Sequence, residues 1–213
     1  MTAGRTSHEL VMAPYAPARF EYRIWGRAFP ELPSPDQEPA SREVYLIPPG
    51  VDGSNVKFRR KALEIKRLLG VRAGLQHWLP ALRCALPLPA AVIAEDLCPE
   101  LGVAPPPLGR ASYDLAQFLA EVASALPGVR VVSLLKRRRS FEIAGSRAER
   151  TRVTIADVTL ESVAIEAERF GWAARATDEL KLRRAPNIDY VTAIRRILAG
   201  QALVPQDGTQ PWG

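Results

Sequence analysis

Charged and apolar side chains alternate with a period of two over several separate stretches of this chain, the signature of strands with two unlike faces. Residues 20–25 (FEYRIW) set aromatic and β-branched residues between charges. Residues 44–47 form a second short apolar run, followed by PPGVDGSN, which is dense in turn formers. Over 56–59 and 63–66 (VKFR and LEIK) the alternation returns, and the preceding turn favours a hairpin over a single helix. Further strands are expected over 129–136, 138–143, 152–158 and 163–168. Helical spacing is rarer. A helix is expected from Ser112, with Leu115, Phe118, Leu119, Val122 and Leu126 on one face and Pro127 and Gly128 ending it. Another follows Asp189, with Tyr190, Ile194, Ile197 and Leu198 on one face and Gly200 at its end. The middle, 70–110, is expected to hold a short helix at GLQHWLPALR, a strand over 90–95 and a loop at GVAPPPLG. Residues 30–43, rich in proline and acid, are expected to form a loop. The pattern amounts to about eight strands and three helices in one α+β domain over 19–200, with tails at 1–18 and 201–213.

The composition narrows the function classes. A chain of 213 residues buries about 70% of its unfolded surface and folds without a metal or disulfide staple. Two cysteines (Cys84 and Cys98) and two histidines (His8 and His77) exclude a disulfide scaffold and a multi-histidine metal site. Phosphate-loop, dinucleotide-binding and hydrolase-elbow motifs are missing. The longest apolar run, 84–94, carries two prolines and is far short of the ~20 residues of a membrane span, so a cytoplasmic protein is expected. The net charge is +6, and arginine outnumbers lysine 24 to 5. That bias suits bidentate phosphate recognition, and a GC-rich coding sequence would equally produce it.

The phase of the charges says more than their number. Residues two apart on a strand share a face, so Lys57 pairs with Arg59, Glu64 with Lys66, Lys136 with Arg138, and Glu166 with Glu168. These rows either face water or line the inside of a wide barrel. An inner lining would suit a polyanion gripped by Arg and Lys, with Glu pairs holding Mg²⁺ or Mn²⁺. The run Lys136–Arg139 also reads as a nucleic-acid patch, although alternation lets at most half of it touch one backbone.

In their order these motifs resemble the CYTH superfamily of triphosphate tunnel metalloenzymes, which includes thiamine triphosphatases, inorganic triphosphatases and class IV adenylyl cyclases. That family opens with an E-x-E-x-K strand, continues with basic strands, and closes with an aspartate-containing strand followed by E-x-E. Glu21 to Trp25 stands where the first motif belongs, and Lys57/Arg59, Glu64/Lys66 and Lys136/Arg138 look like the basic strands. Residues 151–168, with Asp157 and then Glu166-Ala-Glu168, are similar to the closing pair, and 187–190 resemble the family's C-terminal polar-Tyr helix.

The resemblance implies an antiparallel β-barrel of the triphosphate-tunnel type with flanking helices. It further implies a triphosphate or polyphosphate ligand and Mg²⁺- or Mn²⁺-dependent hydrolysis. Carried over residue by residue, it assigns catalysis to Glu166 and Glu168. Phosphate contacts fall to Arg23, Lys57, Arg59, Lys66, Lys136, Arg138 and Arg152, and metal contacts to Glu21, Glu64, Glu166 and Glu168.

The chain departs from the pattern at Arg23, which replaces the second glutamate, and at Trp25, which replaces the lysine. A like charge beside a cation costs about 4 kcal/mol at 4 Å and an effective dielectric near 20. A two-metal site is therefore disfavoured. A one-metal site on Glu166 and Glu168 and a metal-free phosphate pocket both stay open, with a basic nucleic-acid binder as the third reading.

Overall fold

The structure is a computed structural model that describes residues 14–26, 29 and 40–203. Of the tails expected over 1–18 and 201–213, residues 1–13 and 204–213 lie outside the described residues, as does most of the loop expected over 30–43. Eight antiparallel strands close into a barrel, giving the expected α+β class. They are β1 (Arg19–Gly26), β2 (Ser41–Ile47), β3 (Ser54–Arg59), β4 (Ala62–Arg72), β5 (Leu75–Ala85), β8 (Arg130–Ile143), β9 (Ser146–Ile155) and β10 (Val158–Ala167). Around the barrel the order is β1-β10-β9-β8-β2-β3-β4-β5. The two-residue strands β6 (Leu88–Pro89) and β7 (Ser112–Tyr113) pair separately.

Period-two alternation gives each barrel strand two faces, and helices cover much of the outer one. Outward residues Val44, Leu46, Val56, Phe58, Leu63 and Ile65 pack under two helical segments. The first runs from α1 (Ala90–Val92) through a π-helical turn (Ile93–Leu97) to α2 (Cys98–Glu100). The second runs from α3 (Leu115–Gln117) through another π-helical turn (Phe118–Val122) to a 3-10 turn (Ala123–Ala125). Each large apolar side chain buried there contributes about 1.5–3 kcal/mol. On the opposite wall, α4 (Phe170–Glu179) covers Ile24, Ala148, Val163 and Ile165.

The inner faces divide along the barrel axis. At one end Trp25, Tyr45, Ile47, Val132, Leu134, Val153 and Ile155 meet Tyr190, Val191 and Ile194 of α5 (Tyr190–Leu198), which plugs that end. At the other end the inner positions are charged. The barrel is thus a cup with an apolar floor.

Four expectations are corrected. The segment 74–83, expected as a helix, turns at Gly74 and continues as β5. Pro80, which looked like a breaker, sits opposite Lys66 where the β4–β5 register slips, and a bulge needs no ladder donor there. Residues 90–95 are helical rather than extended, starting just after Pro89, because Val92, Ile93 and Leu97 bury together beneath the barrel wall. The helix expected from Ser112 begins at Asp114, whose side chain accepts from Gln117 N in a capping box. Asp157, expected within a strand, lies instead in the tight β9–β10 turn with φ +69°. His77 is on β5, stacked on Phe20 at 4.1 Å, and both cysteines are free thiols.

Candidate functional site

The charged half of the cup encloses a cavity of about 180 Å³. Eight basic side chains line it (Arg19, Arg23, Lys57, Arg59, Lys66, Lys136, Arg138 and Arg147) against four acidic ones (Glu21, Glu149, Glu166 and Asp189). Glu43 and Glu64, buried behind Lys57, Lys136, Arg138 and Arg59, add two more anions, which leaves an excess of two positive charges in a space walled by protein, where field is screened less than on a surface.

One wall, β2-β3-β8, is a cationic cluster organised by a single carboxylate. Glu43 is fully buried, 2.8 Å from Lys136 Nζ and 3.5 Å from Lys57 Nζ, and it accepts a short hydrogen bond from Arg138 Nη2. Tyr45, two residues on, points the same way, and Lys136 donates to its hydroxyl at 2.9 Å. Burial pushes the Glu43 carboxyl up, but Lys57, Lys136 and Arg138 hold it well below the usual carboxylate range. Burial, together with the neighbouring cations, pushes the Lys57 ammonium below its ordinary value and the Lys136 ammonium well below. Three cations share one anion here.

The facing wall, β1-β10-β9, carries the carboxylates, and Arg23 sits among them. Glu21 stands directly opposite Glu166 in the β1–β10 ladder. Arg23 Nε donates to Glu21 Oε1 at 2.9 Å, and Nη1 donates to Ser162 Oγ at 3.1 Å and lies 3.9 Å from Glu149. Glu149 also meets Arg138 at 3.4 Å and accepts from the Thr151 hydroxyl at 2.8 Å. Burial pushes Glu166 up, but Lys66, Arg23, Arg147 and Arg19 hold it down to about 2. Tyr190 forms the floor between the walls, with Lys136 Nζ 3.3 Å and the Arg23 guanidinium 4.5 Å from its ring centroid.

The floor is fixed by the chain around α5. β1 pairs with β5 only through Glu21, so its later backbone groups on that side need other partners. Asn187 supplies them: its side chain accepts from Arg23 N and donates to the Glu21 and Gly74 carbonyls. Trp25 Nε1 donates to Ile188 O, and the Asp189 side chain caps α5 by accepting from Val191 N and Thr192 N.

The residues singled out in the sequence do not all meet. Glu21, Arg23, Lys57, Arg59, Lys66, Lys136, Arg138 and Glu166 line the cavity. Arg152 does not: it points from the outer face of β9, opposite Arg137. Glu168 lies past the end of β10, half exposed and 3.8 Å from Arg19, so it does not share an inner wall with Glu166. Glu64 is buried against Arg59 and Arg83, apart from the Glu21–Glu166 pair. Sequence reasoning missed Glu43, Tyr45, Arg147 and Glu149. Their signal is the same alternation: Glu43, Arg147 and Glu149 lie just ahead of the strand starts expected at 44 and 152, and Tyr45 shares the face of Glu43.

The carboxylates fit a resident divalent metal poorly. Each already has a protein cation beside it, and among the described residues no three His, Cys, Asp or Glu side chains stand close enough to share an ion. Arg23 fills the space between Glu21 and Glu149 with a charge of the same sign as a metal.

No family model and no curated protein matches the chain. Solved structures do. A candidate adenylate cyclase from Bacillus halodurans is 12% identical, covering 74% of this chain and 81% of that one, with a TM-score of 0.41. A candidate adenylyl cyclase from Hippeastrum, described as having a dominant triphosphatase activity, is 10% identical, covering 90% and 99%, with a TM-score of 0.42.

Proposed function

We propose that this chain is a CYTH-like protein whose barrel binds a triphosphate or short polyphosphate, and that the grip is supplied by arginine and lysine rather than by a resident metal. The observation that carries the reading is the cationic wall. Three cations share Glu43, and only Arg138 among them also meets a second carboxylate, Glu149; the Arg59 Nε donor is buried with no hydrogen-bond partner among the described residues. Buried donors of this kind are rare unless something else satisfies them. A phosphate chain supplies acceptor oxygens, and guanidinium groups bind them in bidentate fashion. Lys57, Lys136 and Arg138 would hold the inner phosphates, with Arg59, Arg147 and Arg19 nearer the mouth. Hydrolysis needs a positioned water and charge neutralisation at the scissile phosphoryl group. The paired carboxylates do not furnish a metal site for that step, so binding is the conclusion.

The test is thermal denaturation with tripolyphosphate, pyrophosphate and sulfate at equal ionic strength. A native-state ligand raises the melting temperature, and tripolyphosphate is expected to raise it most. Arg59→Gln, at the mouth of the cup, is expected to shrink the shift. Equal shifts for all three anions would contradict the reading.

Binding is also expected to be linked to protons. Lys57 and Lys136 sit below the ordinary lysine value of 10.5, and an anion beside them raises them again. Binding therefore takes up protons, and affinity increases as pH falls from 10.5 toward the depressed values. Calorimetry at pH 9 in buffers of different ionisation enthalpy measures this uptake. Proton release instead would have the wrong sign.

A further inference from the structure

The basic run of β8 splits in the folded chain: Lys136 and Arg138 turn inward, while Arg137 and Arg139 turn out. On the outer wall Arg137 stands directly opposite Arg152, and Arg139 opposite Arg150. Like charges placed face to face destabilise a sheet. Glu161 binds Arg150 at 2.8 Å, but Arg137 and Arg152 have no ion pair or hydrogen bond among the described residues. A depression of about 300 Å³ lies over these side chains.

We propose that this outer wall binds the phosphate backbone of single-stranded nucleic acid, independently of what the cup holds. Strand geometry sets the arginine rows about 6.8 Å apart along the chain and about 5 Å apart across the ladder. That interval suits successive phosphates of an extended nucleotide chain and is far wider than the phosphorus spacing of an inorganic polyphosphate. Leu135 continues the same face and is 43% exposed, which gives sugar and base surfaces an apolar neighbour. Guanidinium forks bind phosphate without reading sequence, so the recognition is of backbone alone.

The experiment is fluorescence anisotropy with an end-labelled oligo-dT of about 15 nucleotides, close to the upper site size of small single-strand binders. With three or four phosphate contacts, log K should fall against log salt with a slope of about −2 to −3. Arg137→Gln/Arg152→Gln is expected to weaken binding about tenfold and to flatten the slope by about 1.4, at roughly 0.7 per lost contact. The same double variant removes a facing pair of like charges, so it should fold at least as well as wild type and keep its tripolyphosphate thermal shift. Lys57→Gln, inside the cup, should leave oligonucleotide affinity unchanged.

An absence of oligonucleotide binding would overturn the proposal, as would binding that survives the double variant or is lost in Lys57→Gln. Stronger retention on long-chain polyphosphate or on phosphatidylserine vesicles that is lost in Arg137→Gln/Arg152→Gln and kept in Lys57→Gln would also overturn it, by assigning the wall rather than the cup to another polyanion.

Discussion

Glu43→Gln is expected to destabilise the protein more than any other single change in the cup. The substitution keeps the shape of the side chain and removes its charge, so Lys57, Lys136 and Arg138 are left facing one another without their shared carboxylate. Removing one partner of a buried ion pair costs about 3–5 kcal/mol, because the other charge stays buried and unpaired. At about 2–4 °C per kcal/mol for a domain of this size, the melting temperature should fall by about 10 °C. Tripolyphosphate should recover a larger share of the loss than it adds to wild type, since it brings the missing negative charge to the same three cations. A melting temperature within 1–2 °C of wild type, about what an ordinary surface substitution gives, would mean that the cluster is not organised as described.

The second large effect is expected at Arg23. Arg23→Ala empties the space between Glu21 and Glu149 and takes one of the cations away from Glu166. Carboxylates left facing each other repel and shift one another's protonation upward. The variant should therefore be several kcal/mol less stable than wild type near neutral pH in the presence of a chelator. Mn²⁺ should restore much of that loss, because a bound ion stabilises by about 2.7 kcal/mol at a hundred times its dissociation constant. Wild type should show no comparable response, since its guanidinium already occupies the place. Melting curves of both proteins with chelator and with Mn²⁺ decide the matter. An equal response of the two would show that Arg23 does not stand in for a cation.

Much of this site was legible in the residues. The phase of Lys57 and Arg59, and of Lys136 and Arg138, follows from a period of two that folding cannot alter without moving whole strands to the other face. What alternation alone left open was which face is inside. The answer lay in the partner positions: Tyr22, Ile24, Val44, Leu46, Phe58 and Leu63 are apolar, and helices cover them, so the charged faces are left to line the barrel. Arg152 was misplaced because β9 begins at Ser146 and its inner positions are the odd ones. Glu168 was misplaced because a spacing of i, i+2 puts two residues on one wall only while the strand lasts, and β10 ends at Ala167. Alternation puts Glu43 and Glu149 on the inner face, but nothing local shows that such a carboxylate will collect cations from neighbouring strands. That property belongs to the closure of the barrel, which brings β8 beside β2.

On the proposed function, the cup holds a phosphate chain through its own cations. Isothermal titration of tripolyphosphate into the wild-type protein, in buffer containing a chelator, tests it most directly. Expected are one site per chain, an affinity that weakens with salt, and no gain in affinity when Mg²⁺ or Mn²⁺ replaces the chelator beyond that caused by metal binding to free ligand. Binding that is absent in chelator and present only with the divalent ion would contradict it.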